Sequence, residues 1–459
     1  MSCGRGGSLK KLEPRDTQTR VKHEVLERYF SAWGRIITYG LRGHADRAAR
    51  AGRPFIARFV YVDAFSSCGR YTGDRGDILL GKDVSEVWGS PIIGLKALDR
   101  LHDYAAENLP SGTTVITNAI LVEKSASSFA RLRESLQLAG YGERVKEHRD
   151  FAQLGNREIA AVNDDFLRVA NDVLSFTQSP TFSFYLLDPY GPLGIPFWLV
   201  QNVAAQRGTD VIINFPYQDL HRKAGYGKYG AGDLPRGARK VIDNYTAAFG
   251  ESEDAWLTIW NENIELGSAD AEQAVVSHYR ERLRTIDPGI AVKLVPLRFP
   301  DRERTMFYLF LTTKDPTGAL VLNRIVYDAR LDEFLLRDEF AIAKIADRIR
   351  TVEESQGILE LFPVEETVAP PATPVQPDRD LDLSDLAERI MSIFAGTSTT
   401  IRDIYRAFVD SNVFPDDIGK ALTVLKKKKV ASYERRDSIN DVVSFAKGPS
   451  DDAASAPRS

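Results

Sequence analysis

Cysteine is nearly absent from this chain: only Cys3 and Cys68 occur in 459 residues. Two thiols build neither a disulfide framework nor a four-thiolate zinc site, a composition suited to a reducing cytoplasm. Histidine is scarce as well, and the six present show no metal-ligand spacing, so no metal site is expected. There is no excess of basic charge. The net charge is -4, so any contact with nucleic acid must come from local patches. No apolar run is long enough to span a bilayer, because Asp188 interrupts the best candidate. The opening residues, MSCGRGGSLKKLEPRDTQTR, lack the apolar segment of a signal peptide. These absences leave a cytoplasmic protein with no membrane partner as the expectation.

What is present is organised around FSFYLLDPYGPLGIPFW, Phe182 to Trp198. The apolar, aromatic run has the composition of a strand covered on both faces. Asp188 falls at its carboxyl end, the edge at which open α/β sheets bind ligands. Pro189 and Gly191 set a tight turn, and Tyr190 is thrown outward as a plate. An acid and an aromatic plate at a strand end suit a flat, hydrogen-bonding substrate such as a base. The bland alternative is an aspartate that caps its own turn.

The rest of the chain alternates strand and helix. Residues 1–20 read as a disordered polar tail. KHEVLERYFSAWGRIITYG then carries a helical stripe of Val25, Leu26, Tyr29, Phe30, Trp33, Ile36 and Ile37, with Lys22 and His23 read as surface groups. Arg35 to Arg58 contains six arginines and one acid, a first basic patch. RFVYVDAF is a strand with Asp63 near its end, and the following SSCGRYTGDRGD is a loop in which glycine lets backbone approach a ligand. TTVITNAILVEK is a second strand ending in Glu123, where nucleotide-binding sheets place their ribose ligand. ERVKEHRDF reads as a third strand ending at Asp150, followed by a helix over 156–176. GTDVIINFPY is a further strand, and the glycine-rich loop after it, with six Lys/Arg against two Asp, reads as mobile, either a linker or a loop that grips the substrate with alternating basic and stacking groups. AVKLVPLRFP and RTMFYLFLTT form a hairpin.

The domain reading is an α/β unit over 21–330, a helical extension over 331–362 and a proline-rich linker over 363–380. A small unit over 381–448 and a disordered tail over 449–459 follow. The order of three helices and a hairpin in the small unit reads as a winged helix-turn-helix. Lys426 to Lys429, Arg435 and Arg436 make it basic at one end, but Asp416-Asp417 open its third helix and would repel phosphates. A protein-docking role therefore competes with nucleic-acid binding.

The strand-end series resembles the class I S-adenosylmethionine-dependent methyltransferases, a Rossmann-like α/β fold with a seven-stranded, mostly parallel sheet and a reversed strand at one edge. That resemblance implies that Asp63 and Gly69 border the methionine part of S-adenosylmethionine, that Glu123 binds its ribose hydroxyls and Asp150 its adenine amine. Lys22-His23-Glu24, YVDAFSSCGRY, GSPIIGL, LVEK, LLDPYG and INF together resemble the three-Cys-motif partner (TcmP) family over roughly Val21 to Arg330. Membership implies a partner protein with a three-cysteine motif, similar to radical-S-adenosylmethionine proteins. Ser66 and Ser67 depart from the family's smaller loop residues. The Asp188-Pro189-Tyr190-Gly191 turn is similar to that of guanine-N2 methyltransferases. It implies that Asp188 and the next carbonyl hold an exocyclic amine of RNA or DNA while Tyr190 stacks on the base. Cys68 reads as a small loop residue rather than a nucleophile. Two other readings compete: a degenerate, non-catalytic binding subunit, and a nicotinamide-dependent enzyme, against which the edge hairpin and the Asp188 turn argue.

Overall fold

The computed structural model describes residues 11–147, 149–189, 195–228, 235–356, 381–436 and 438–447. The chain opens with helix α1 (Thr17–Arg50), strand β1 (Phe55–Asp63), the short strands β2 (Arg70–Tyr71) and β3 (Val87–Trp88) flanking helix α2 (Arg75–Leu79), and helix α3 (Ser90–Asn108). Strand β4 (Thr113–Val122), helix α4 (Ala126–Leu138), strands β5 (Val145–Lys146) and β6 (Ile159–Val162), and helix α5 (Phe166–Phe176) follow. Then come β7 (Thr181–Leu187), α6 (Phe197–Ala205), β8 (Thr209–Phe215), α7 (Tyr217–Ala224), α8 (Ala238–Phe249), α9 (Ala255–Ile264) and α10 (Ser268–Arg284). The sheet closes with β9 (Ala291–Arg298) and β10 (Thr305–Thr313), and α11 (Pro316–Gln356) leads away.

Eight strands form one sheet in the order β5-β6-β4-β1-β7-β8-β10-β9. Every pairing from β5 to β8 is parallel, and β10 runs antiparallel to both its neighbours. The order steps outward in both directions from β1 and β7, so loops after these strands diverge and leave a crevice at the carboxyl edge. The expected sheet of seven strands is thus one of eight, and its reversed strand lies one place in from the edge.

Strand alternation divides the core. Phe59, Tyr61, Phe184 and Leu186 face α1, α3 and α11, while Val60, Val62, Tyr185 and Leu187 face α5, α6 and α10. The stripe on α1 is used as its spacing predicts: Phe30 stacks on Phe184 at 4.8 Å and on Tyr61 at 5.3 Å between centroids, and Trp33 meets Phe184 edge-on. Ile36 and Ile37 stay half-buried.

Four expectations change. Residues 11–20 are not a free tail: Glu13 accepts from Thr72 N, Arg15 pairs with Asp74, and α1 begins at Thr17. The third strand beside β4 is Ile159–Val162, wholly buried, and not the segment ending at Asp150; the helix expected over 156–176 begins only at Phe166, where Asp165 caps it by accepting from Leu167 N. The segment after β8 starts as helix α7 with Leu220 buried, since an apolar face is available there; residues 229–234 of that loop lie outside the described residues. The boundary at 330 falls inside the single helix α11, while the linker over 363–380 and the tail over 449–459 lie outside the described residues.

The C-terminal unit contains α12 (Leu383–Phe394), β11 (Ser398–Thr400), α13 (Ile401–Ala407), α14 (Pro415–Lys427), β12 (Ala431–Ser432) and β13 (Val442–Phe445). The three strands pair antiparallel in the order β11-β13-β12. Leu320 of α11 joins its core beside Ile390, Ile418 and Phe445. Lys293 Nζ donates to Val409 O at 2.6 Å, and Asn323 Nδ2 donates to Ser411 O at 2.8 Å and Val413 O at 2.7 Å. Burial brings the Lys293 ammonium down to about 8. The unit therefore docks against the amino edge of the sheet, opposite the carboxyl ends of the parallel strands. No helix among the described residues is long and apolar enough to cross a membrane.

Candidate functional site

Asp63, last in β1, is wholly buried. Its Oδ2 accepts from Ser90 Oγ at 2.7 Å and Tyr61 OH at 3.2 Å, and its Oδ1 from Phe65 N at 3.2 Å. Burial pushes this carboxyl up to about 7, against those hydrogen bonds, and the nearby Asp188 charge adds to the rise. Asp63 therefore ties the loop and the first turn of α3 together from beneath. It does not present a carboxylate to a ligand directly.

The loop it supports turns through left-handed backbone at Ser67 (φ 52°) and Gly69 (φ 74°). A Cβ on Gly69 would stand 3.1 Å from Leu132 Cδ1 and from Ser135 Cβ, so the glycine is required both by φ and by the close approach to α4. Ser135 Oγ donates to Cys68 O at 2.7 Å, which fixes Cys68 as a buried loop residue. Glu123, just past β4, reaches back to the same loop. Its Oε2 accepts from Ser67 N at 2.8 Å and its Oε1 from Ser125 N at 2.6 Å. The half-buried carboxylate is held in one orientation with lone pairs to spare.

Asp150 stands apart from these groups. It is exposed, β5 ends four residues before it, and its described partner is Gln153 Nε2 at 2.6 Å. The third strand of the crevice is β6, so the polar groups beside Glu123 are Asn163, Asp164 and Asp165. Asn163 Nδ2 donates to Glu123 O at 2.7 Å. Asp164 pairs with Arg149, and Asp165 with Lys124 at 2.8 Å.

Asp188 follows β7 and is held by two side-chain donors. Its Oδ2 accepts from Lys22 Nζ at 2.7 Å and its Oδ1 from Asn214 Nδ2 at 2.6 Å. Lys22 comes from the first turns of α1, Asn214 from β8. The Lys22 side chain is 14% exposed and that of Asp188 25%, so the pair is screened only in part. Lys22 also lies over the Phe307 ring at 5.3 Å. Pro189 is buried, and Tyr190 lies outside the described residues. Beside the pair, burial with the Asp188 charge pushes the Tyr71 phenol up. Burial, Arg15 and Lys22 bring His23 well down, so it sits neutral and buried against Tyr71, with ring centroids 5.8 Å apart.

Lys22 and His23 are thus not surface groups, and Asn214, quoted above only within the INF motif and given no role there, is a site residue. An amphipathic helix signal describes packing and says nothing of which strand end receives the one lysine at its start. Asn214 belongs to a fully buried strand run, and a buried amide in such a run is the available hint. Asn214 Oδ1 itself is buried with no hydrogen-bond partner among the described residues. No group of three or more His, Cys, Asp or Glu suited to hold a metal ion occurs among the described residues.

Sheet and site define an α/β protein with an eight-stranded, mostly parallel sheet and a polar crevice at its carboxyl edge. No protein-family model matches the chain, and no curated protein matches it. Solved structures similar to it include protein LPL1258 from Legionella pneumophila, at 10% identity and TM-score 0.30 over 65% of this chain and 85% of that one. YjhP from E. coli is similar at 11% identity and TM-score 0.19, over 58% of this chain and 90% of that one. Loganic acid methyltransferase with SAH is similar at 10% identity and TM-score 0.23, over 75% and 93%. These superpositions are loose.

Proposed function

We propose that this chain is an S-adenosylmethionine-dependent methyltransferase acting on an exocyclic amine of a nucleic-acid base. The observation that carries the reading is the meeting, at one edge of a parallel sheet, of a turn held by Glu123 and a carboxylate, Asp188, aimed by two N–H donors. The residues fit the cofactor: Glu123 is oriented by backbone with acceptor capacity remaining for ribose hydroxyls, and the 64–69 turn brings backbone close to it. The loop after β6 takes the adenine-facing place that the family resemblance gave to Asp150, with Asp164 as the acid there.

When bound, S-adenosylmethionine supplies an electrophilic methyl group. Asp188 and the neighbouring backbone carbonyl accept hydrogen bonds from the substrate amine and hold its lone pair outward, so the chain's contribution is chiefly positioning. Lys22 and Asn214 fix the plane of the carboxylate. The amine loses a proton as it is methylated, and Asp188 is the acceptor in reach. Tyr190 stacks on the base. The C-terminal unit, read as a winged helix, presents a surface either to nucleic acid or to a three-Cys-motif partner.

One observation favours a second reading, a non-catalytic binding subunit: both oxygens of Asp188 already have partners from the protein. Calorimetry with S-adenosylmethionine and S-adenosylhomocysteine separates the two. Binding that Glu123→Ala weakens by about 1.5–3 kcal/mol supports the enzyme. Failure of the folded wild type to bind either compound leaves the accessory role. Given binding, Asp188→Asn is expected to retain cofactor affinity and lose turnover by orders of magnitude; full methyl transfer by that variant would rule out the assigned role.

A further inference from the structure

A cavity of about 800 Å³ opens far from the strand-end site, between α1 and the C-terminal unit. Its walls come from three places: Tyr39 on α1, Tyr405 with the first two turns of α14, and residues 433–436 and 438–439 between β12 and β13. The volume lies in the range of ligand-sized sites, roughly 300–1,000 Å³. We infer that this cavity binds single-stranded nucleic acid, as a second contact that holds the substrate strand while its target base reaches Asp188. The inference rests on the nucleic-acid substrate proposed above and deepens it.

Aromatic plates and cations alternate along the lining. Tyr39 is 38% exposed, and Tyr405 and Tyr433 are half-exposed. Lys420, Arg435 and Arg436 are exposed at the cavity. Arg436 is partly used, since it bonds Gly419 O and covers Tyr433 at 5.0 Å. Lys420 and Arg435 form no side-chain hydrogen bond or ion pair among the described residues. Stacking rings beside unpaired cations are what a sequence-tolerant single-strand site requires.

The acids set against this are Asp416 and Glu434. Asp417, whose sequence position suggests phosphate repulsion, is buried: its Oδ2 accepts from Phe414 N at 2.8 Å, so it caps α14 and faces no ligand. Among the described lining residues, three cations then face two acids. That balance admits a strand held by a few phosphates and by stacking, and disfavours a duplex whose two backbones bring denser charge. Arg42, held by Asn108, stands over the Tyr39 ring at 5.8 Å and adds a cation beside that plate. Lys22 and Tyr39 lie on the same helix, about 25 Å apart at 1.5 Å per residue, a reach that a short single strand covers.

The test measures binding of the full chain to a fluorescein-labelled single-stranded oligouridylate by anisotropy across a salt series, with a labelled duplex in parallel. Tyr39→Ala is expected to weaken single-strand binding about fivefold or more. The double variant Lys420→Glu/Arg435→Glu should weaken it at least about tenfold and reduce the slope of log affinity against log salt by about 1.4. Both sites are exposed, and an unchanged melting temperature confirms that the variants fold. The proposal is overturned if the wild type binds no single strand, if the cavity variants bind as the wild type does, if duplex binds as tightly, or if polyglutamate displaces the oligonucleotide at equal charge, which would mark an acidic-peptide surface. Single-strand binding that depends on the cavity in a protein that binds no S-adenosylmethionine upholds this proposal and removes the methyltransferase reading instead.

Discussion

Asp63 and Asp210 are sealed on opposite edges of the same sheet, and burial pushes each carboxyl up to about 7 from an ordinary 3.8. Asp210 accepts from Tyr29 OH at 2.6 Å. A carboxyl with a raised native pKa binds more protons folded than unfolded. Its contribution to stability is therefore complete below about 3.8 and is lost as pH rises through about 7. Urea unfolding from pH 4 to 8 should show wild-type stability falling across that window. Asp210→Asn keeps an acceptor for Tyr29 and should flatten part of the fall; an unchanged slope would mean that Asp210 is ionised in the native protein. Lys22 makes the contrasting case. Lys22→Met keeps the stem over Phe307 but leaves Asp188 with Asn214 alone, and a loss of about 1–3 kcal/mol is expected in the same measurement. A loss near zero would show that the Lys22–Asp188 pair is no more than a surface contact.

Helix α3 and strand β1 meet where Gly94 faces Tyr61: a Cβ at 94 would stand 2.1 Å from Tyr61 Cε1. Alanine there gains helix propensity of about 1 kcal/mol but overpacks a buried ring, at a cost of about 1–3 kcal/mol or more. Thermal denaturation of Gly94→Ala should show net destabilisation, because Tyr61 is also a ligand of Asp63. The long strands are legible in the sequence because they are buried on both faces, so FVYVD, ITNAILV, FSFYLL and VIINF read as largely apolar runs with few polar interruptions. β6 is not: IAAV is short, half alanine and free of aromatics, and ERVKEHRD before it holds only the two-residue edge strand β5, which stops four residues short of Asp150. That single shift misplaces Asp150. It also yields a comparison: Asp150→Ala should change stability by less than about 0.5 kcal/mol, whereas Asp164→Ala, which strips the partner of Arg149, should cost more. Equal effects would return Asp150 to the crevice. Asp188 and Glu123 are legible at their strand ends because a carboxyl edge is implied by the strand itself. Their partners Lys22 and Ser67 are not, since those contacts depend on how distant segments cross.

At the scale of the whole molecule, the C-terminal unit shares a core with α11 through Leu320 and satisfies Lys293 and Asn323 by backbone carbonyls. A chain ending at residue 364 should therefore melt several degrees lower and bind an apolar dye more strongly than the full chain; identical melting would show that the two units are independent. Helix α1 has a further consequence for how the protein is made. Its stripe finds Tyr61 and Leu101 within the first hundred or so residues, yet Tyr29 also awaits Asp210 and Thr312, and Gln18 awaits Arg298. At about 5–20 residues per second, this first-made helix leaves the ribosome tens of seconds before its last partners exist. Until β7 is made, Tyr29, Phe30 and Trp33 lack the Phe184 ring that covers them. A nascent chain stalled before β7 should therefore be held by chaperones through its N-terminal helix, and one stalled after β10 should let go.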